Sequence, residues 1–265
     1  MPPPAAPPTL IAVAHGSRDP AAPHTVRALL ERVRALRPQL RVELAHIELN
    51  APLLTGTLAA HRPGAAVLVP LLFGRGHHVR HDLPEAARAA GHLRLSQAAP
   101  LGPHPLLAEA LYDRLAEALR TWPGRTGPHR DGHPRPDGVV LAAAGSRDPR
   151  SATDAERTAA LLSRRLGGVP VLPGYASAAA PTVPRAVAAL RADGCRRVAL
   201  ASYFTAPGLF AARCARDAGP GVPAAAPLGD HPALARLVLH RYDEALARAA
   251  RGPGTACGST TRRAA

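Results

Sequence analysis

The chain has 265 residues, enough for two domains of ordinary size that each bury a core. Its formal charge is +14 and every basic side chain is Arg, yet aromatic residues make up only 3%, too few to stack single-stranded nucleic acid, so a nucleic-acid partner is not expected. No apolar run approaches 18 residues, the opening MPPPAAPP lacks the basic and apolar regions of a secretory leader, and Cys195, Cys214 and Cys257 share no metal or disulfide spacing; the expectation is a cytoplasmic protein with no membrane partner.

TLIAVA, residues 9–14, is a short apolar run that reads as a buried strand. AAPHTVRALLERVRAL follows, with Val26, Leu29, Leu30, Val33 and Leu36 at helical spacing. RVELAHIEL reads as a second strand, AAVLVPLLF as a third, and LPEAARAAG as a helix that ends near Gly91. The order then repeats: strand GVVLAAA, helix RTAALLSRRLG, strand GVPVLPGYA, helix TVPRAVAALRADG, strand RRVALASYF. Strands alternating with helices predict an α/β fold of two similar tandem domains, each with a parallel sheet flanked by helices.

The two halves are copies. AHGSRDP at 14–20 recurs as AAGSRDP at 143–149, and APLGPHPLLAEALYDRLAEAL from Ala99 recurs as APLGDHPALARLVLHRYDEAL from Ala226. TWPGRTGPHRDGHPRPDG, rich in Pro, Gly and charge, reads as the linker between them. The expected division is a first domain over 1–120, a linker over 121–138, a second domain over 139–250 and a frayed tail over 251–265.

What both copies keep is explained by folding: Asp19–Pro20 and Asp148–Pro149 suit a helix start, and Gly16 and Gly145 suit a sharp turn after a strand. What the second copy loses is different. His15 becomes Ala144; aligning through Pro52 and Pro181 sets Glu48 against Ser177; aligning through Gly76 and Gly208 sets His78 against Phe210. His15, Glu48 and His78 follow the first, second and third strands, and ligands of open α/β sheets bind beyond the carboxyl ends of strands, so the three should converge. Two imidazoles and a carboxylate suit a divalent transition ion with coordination positions left open.

VAHGSRDP, IELNAPLL and VPLLFGRGHHVRHDLPEA resemble the signature regions of the sirohydrochlorin chelatases, the class II chelatases of siroheme and cobalamin synthesis. The matching positions are His15 to Arg18, Glu48, and Gly76 to Val79 followed by Asp82, Leu83 and Pro84. The resemblance implies a tandem chelatase fold with its active site in the cleft between the domains, and an enzyme that inserts Fe2+ into sirohydrochlorin. Cobalt insertion for cobalamin is the alternative, and a metallochaperone or tetrapyrrole carrier the non-enzymatic one. It implies His15, Glu48 and His78 as metal ligands and catalytic groups, with Arg18, Arg75, His77, Arg80 and Arg213 meeting the substrate's carboxylates and His81 standing nearby. The metal is expected as substrate, with no permanently bound cofactor, and the protein as a monomer. The second half is expected to be a ligand-free wall, with Phe210 or Tyr203 packing against the ring.

Overall fold

The computed structural model describes residues 7–120 and 135–251; the predicted linker up to residue 134 and the predicted tail beyond Arg251 lie outside the described residues. The chain runs β1 (Thr9–Ala14), α1 (Ala21–Leu36), β2 (Val42–His46), α2 (Leu54–Ala60), β3 (Gly64–Pro70), a single π-turn (His78–Asp82), α3 (Leu83–Ala89), β4 (Leu93–Gln97) and α4 (Pro105–Arg120). It continues β5 (Gly138–Ala143), α5 (Pro149–Arg165), β6 (Val171–Tyr175), α6 (Val183–Ala192), β7 (Val198–Ser202), α7 (Leu209–Asp217) and α8 (Pro232–Ala250). Both sheets are parallel, ordered β2-β1-β3-β4 and β6-β5-β7. Among the described residues no helix is long and apolar enough to cross a membrane.

The alternation of side chains along a strand sets the layers. On β1, Leu10, Ala12 and Ala14 join a central core, while Ile11 and Val13 face α2 and α3. On β5, Val139, Leu141 and Ala143 join that same central core, while Val140 and Ala142 face α6 and α7. The two sheets therefore share one core, filled by α1, α4, α5 and α8 with fully buried side chains such as Leu29, Leu107, Leu111 and Leu237. Burying each such leucine contributes roughly 1.5–3 kcal/mol.

The last helix of each half lies over the other half's sheet. Helix α4 packs on α5 and β7, and α8 packs on α1, β3 and β4. The chain thus passes between the two lobes through 98–104 and again through 225–231. The repeat seen in sequence and the packed lobe are not the same unit, because each repeat lends α4 or α8 to its neighbour. Equivalent arginines tie the crossings down: Arg114 donates to the Leu228 carbonyl at 3.0 Å and Arg241 to the Leu101 carbonyl at 3.1 Å.

Five elements are missing from the sequence reading: α4 and α8, whose segments are read there as a repeat and not as helices, and α2, α7 and β4. Helices α2 and α7 are short, at 7 and 9 residues, and β4 is an edge strand with only Leu93 buried, so none offers a long periodic run. The second half reduces the equivalent of β4 to one bridge, Leu200 to Ala224, within Pro223–Ala226; Pro223 and Pro227 on either side lack the N–H that a ladder needs.

Candidate metal and substrate site

Sheet order determines which loops meet. Strand β1 lies between β2 and β3, so the loops at their carboxyl ends present Glu48, His15 and His78 in that spatial order. The β2 end is fastened to the β1 end by Ile47 N–H to the Ala14 carbonyl at 2.9 Å and Glu48 N–H to the His15 carbonyl at 3.0 Å. Gly16 makes this approach possible: its φ is +106°, and an added Cβ would overlap the Glu48 carbonyl oxygen. Gly145 repeats the arrangement against Ser177 in the second lobe. The helix starts also behave as expected, with Asp19 accepting from Ala21 N–H at 2.9 Å and Asp148 from Arg150 N–H at 3.0 Å.

The rings of His15 and His78 meet edge to face with centroids 4.6 Å apart. His15 Nδ1 lies 3.6 Å from Glu48 Oε1, and His78 Nδ1 lies 2.5 Å from Asp82 Oδ2. The second contact follows from the π-turn, in which Leu83 N–H reaches back to the His78 carbonyl; the widened turn brings residues four apart nearly into line. His78 therefore has a carboxylate hydrogen-bonded at Nδ1, whereas His15 Nδ1 lies 3.3 Å from the Gly16 carbonyl with the Glu48 carboxylate just beyond hydrogen-bond distance; in both rings a proton on Nδ1 leaves the Nε2 lone pair free. Among the described residues no group of three or more His, Cys, Asp or Glu is gathered into a set that could hold an ion; the three expected ligands meet only in pairs. Asp82 was visible in sequence only as part of a motif, although its i, i+4 spacing from His78 was the signal.

The arginines divide. Arg75 and Arg80, expected to face substrate, each hold a carboxylate of the other lobe. Arg75 Nε and Nη2 donate to Asp154 at 2.9 and 2.7 Å, and Asp154 on α5 is 1% exposed; Arg80 Nη1 donates to Asp148 at 2.9 Å. The guanidinium of Arg80 holds the Asp148 carboxyl below its ordinary pKa. Among the described residues, Arg213 pairs only with Asp217 on its own helix, at 3.3 Å. Arg18 and its counterpart Arg147 are exposed and make no ion pair among the described residues. His77 is exposed and 3.6 Å from Asp82.

The second lobe closes on this face reciprocally. A Cβ on Gly208 would lie 3.2 Å from Ser17 Oγ, and one on Gly76 would lie 3.7 Å from Ser146 Oγ, so equivalent loops cross equivalent loops. Leu209 and Phe210, which open α7 beside Gly208, are 77% and 41% exposed, unusual for apolar side chains of this size. Tyr203 departs from expectation. It is 7% exposed, packs on Phe73 at 4.7 Å and donates to the Phe73 carbonyl at 3.2 Å, so it joins the lobes and cannot lie against a ligand. Burial pushes its pKa well up.

Residues 9–118 and again 138–245 match the CbiX family model. Over 251 residues the chain is 27% identical to the sirohydrochlorin ferrochelatase of Bacillus subtilis strain 168, covering 90% of this chain and 92% of that protein. Over 83 residues it is 34% identical to the sirohydrochlorin cobaltochelatase of Sulfurisphaera tokodaii, covering 30% of this chain and 69% of that one. The solved structure of SirB from Bacillus subtilis with Fe3+ has the same fold, with a TM-score of 0.72 at 24% identity over 92% of this chain and 97% of that one.

Proposed function

The chain belongs to the CbiX family, and from that premise we propose that it inserts a divalent metal into sirohydrochlorin, with Fe2+ the first choice and Co2+ the alternative. One observation carries the reading: two imidazoles stand together at the carboxyl ends of adjacent strands, His78 held by Asp82 and His15 with the Glu48 carboxylate nearby, in the lobe that alone keeps these side chains.

Insertion needs an ion that sheds its water, ring nitrogens that face it, and acceptors for the pyrrole protons. In this reading His15 and His78 bind the incoming ion through Nε2, where neutral imidazole suits Fe2+ and Co2+. Glu48 balances the ion's charge from the His15 side and takes up a released proton. Asp82 fixes the His78 ring in place. The cleft between the lobes receives the flat polycarboxylate ring: Arg18, Arg147, Arg213 and His77 offer charge or hydrogen bonds to its rim, and Phe210 supplies an apolar surface. Arg75 and Arg80 act through the lobe contact, since both already hold a carboxylate. The metal is a substrate that leaves with the product.

The test is anaerobic mixing of the protein with sirohydrochlorin and Fe2+ or Co2+ while the absorption spectrum is followed. Faster insertion than without protein, lost in His15→Ala and His78→Ala with the fold intact, supports the reading. Unchanged turnover in both variants refutes the site.

A further inference from the structure

The paired imidazoles end a longer row. His81 stacks on His77 with ring centroids 4.6 Å apart and planes 30° apart; His77 meets His78 at 6.2 Å; His78 meets His15 at 4.6 Å. The outer pair is the more exposed: His81 is exposed and the His77 side chain is 72% exposed, against 31% for His78 and 42% for His15. The first two are spaced i, i+4 across the π-turn that also pairs His78 with Asp82, so the local backbone that aligns the inner residues aligns the outer ones too.

We propose that His77 and His81 form an exposed landing site for a divalent transition ion, which passes from there to His78 and His15. The proposal rests on the reading of His15 and His78 as the insertion site and adds a capture step before it. A pair of histidines four apart on one helical face is a known way to hold such an ion. With metal–nitrogen bonds of about 2.0–2.1 Å, two imidazoles on one ion have ring centres about 5 Å apart, close to the His77–His81 and His78–His15 separations. The stacked rings turn to chelate by rotating about exposed side-chain bonds.

The charges nearby favour a cation. Asp82 Oδ1 lies 3.6 Å from His77 Nε2 while Oδ2 holds His78, so one carboxylate faces both stations. The nearest fixed positive charge on the turn, Arg80, is offset by Asp148 from the other lobe. Each transfer breaks one metal–imidazole bond as the next forms, so no redox change and no additional reactant is required.

The experiment uses Co2+ alone, followed by equilibrium dialysis and by visible absorption. Wild-type protein is expected to bind about two ions per chain, and both His77→Ala/His81→Ala and His15→Ala/His78→Ala about one. In insertion assays the half-saturating Co2+ concentration of His77→Ala/His81→Ala is expected to rise about tenfold. Circular dichroism confirms that each variant is folded. A single ion on the wild type, unchanged uptake by His77→Ala/His81→Ala, or complete loss of uptake by His15→Ala/His78→Ala would overturn the landing site. Retained outer binding in a protein without insertion activity would refute the chelatase reading and leave the landing site standing.

Discussion

Asp82 Oδ2 stands 2.5 Å from His78 Nδ1, so the ring of His78 is oriented by a carboxylate one turn along the chain. A neutral imidazole held this way donates its Nδ1 proton to the carboxylate and presents Nε2. Replacing Asp82 with Asn keeps the shape but removes the charge. Metal affinity and insertion rate are expected to fall about tenfold to a hundredfold, as for other residues that orient a metal-binding histidine. Dialysis with Co2+ together with kinetic assays checks this; a variant that binds and inserts like wild type would show that His78 needs no orienting group.

Arg75 carries a second prediction. Its partner Asp154 is buried, and removal of the guanidinium leaves the carboxylate without its ion pair, held only by the residue-75 backbone N–H at 3.2 Å. Arg75→Ala is expected to cost about 3 kcal/mol of stability. Chemical denaturation measures the loss, and Arg75→Met/Asp154→Leu is expected to recover most of it because no charge is then stranded. Equal stability of wild type and Arg75→Ala would show the pair to be idle.

Stability is expected to depend on pH through two helix starts. His104 Nδ1 accepts from Leu106 N–H at 3.1 Å, and His231 Nδ1 accepts from Ala233 N–H at 3.2 Å, so each cap requires an unprotonated Nδ1. Burial lowers the pKa of both imidazoles. The native state therefore stays neutral while the unfolded chain takes up protons below about pH 6.5, and stability falls as pH drops through that value. Thermal melts from pH 7.5 down to 5.5 should show this decline, and His104→Asn/His231→Asn, which caps without titrating, should make it shallower, leaving the share of His46, whose pKa burial also lowers.

Removing α8 tests the exchanged helices. Without residues 230–251 the first lobe loses the layer over β3 and β4, and Leu234, Leu237 and Val238 no longer cover the central core. The truncated chain is expected to aggregate or to lose its cooperative melt. Residues 1–120 alone are expected to fare no better, since they lack the same helix. A soluble, monomeric first half with a sharp transition would contradict the packing.

The bounds of β1 and α1 coincide with the sequence reading because β1 is buried along its whole length and α1 has a strong 3.6-residue stripe. His15, Glu48 and His78 were legible as positions that the second copy had lost, and strand order brings them into one row. The partners of Arg75 and Arg80 were not legible. Asp154 is 79 residues from Arg75 and Asp148 is 68 from Arg80, and no local pattern links positions so far apart. The exchange of α4 and α8 was equally hidden. Both sheets offer similar faces of Val, Leu and Ala, so an apolar stripe on a helix does not indicate which sheet it will cover.

Two crossings between lobes, at 98–104 and 225–231, would ordinarily act as a hinge. Here the lobes are welded along an apolar seam that runs from Leu10 on one sheet to Leu141 on the other, and parting them would wet that whole seam. The loops at the carboxyl ends of the two sheets are therefore held at a fixed separation. On the proposed function, a ring held between those loops would meet walls that do not yield, so discrimination among rings would be a matter of girth and flatness rather than of clamping.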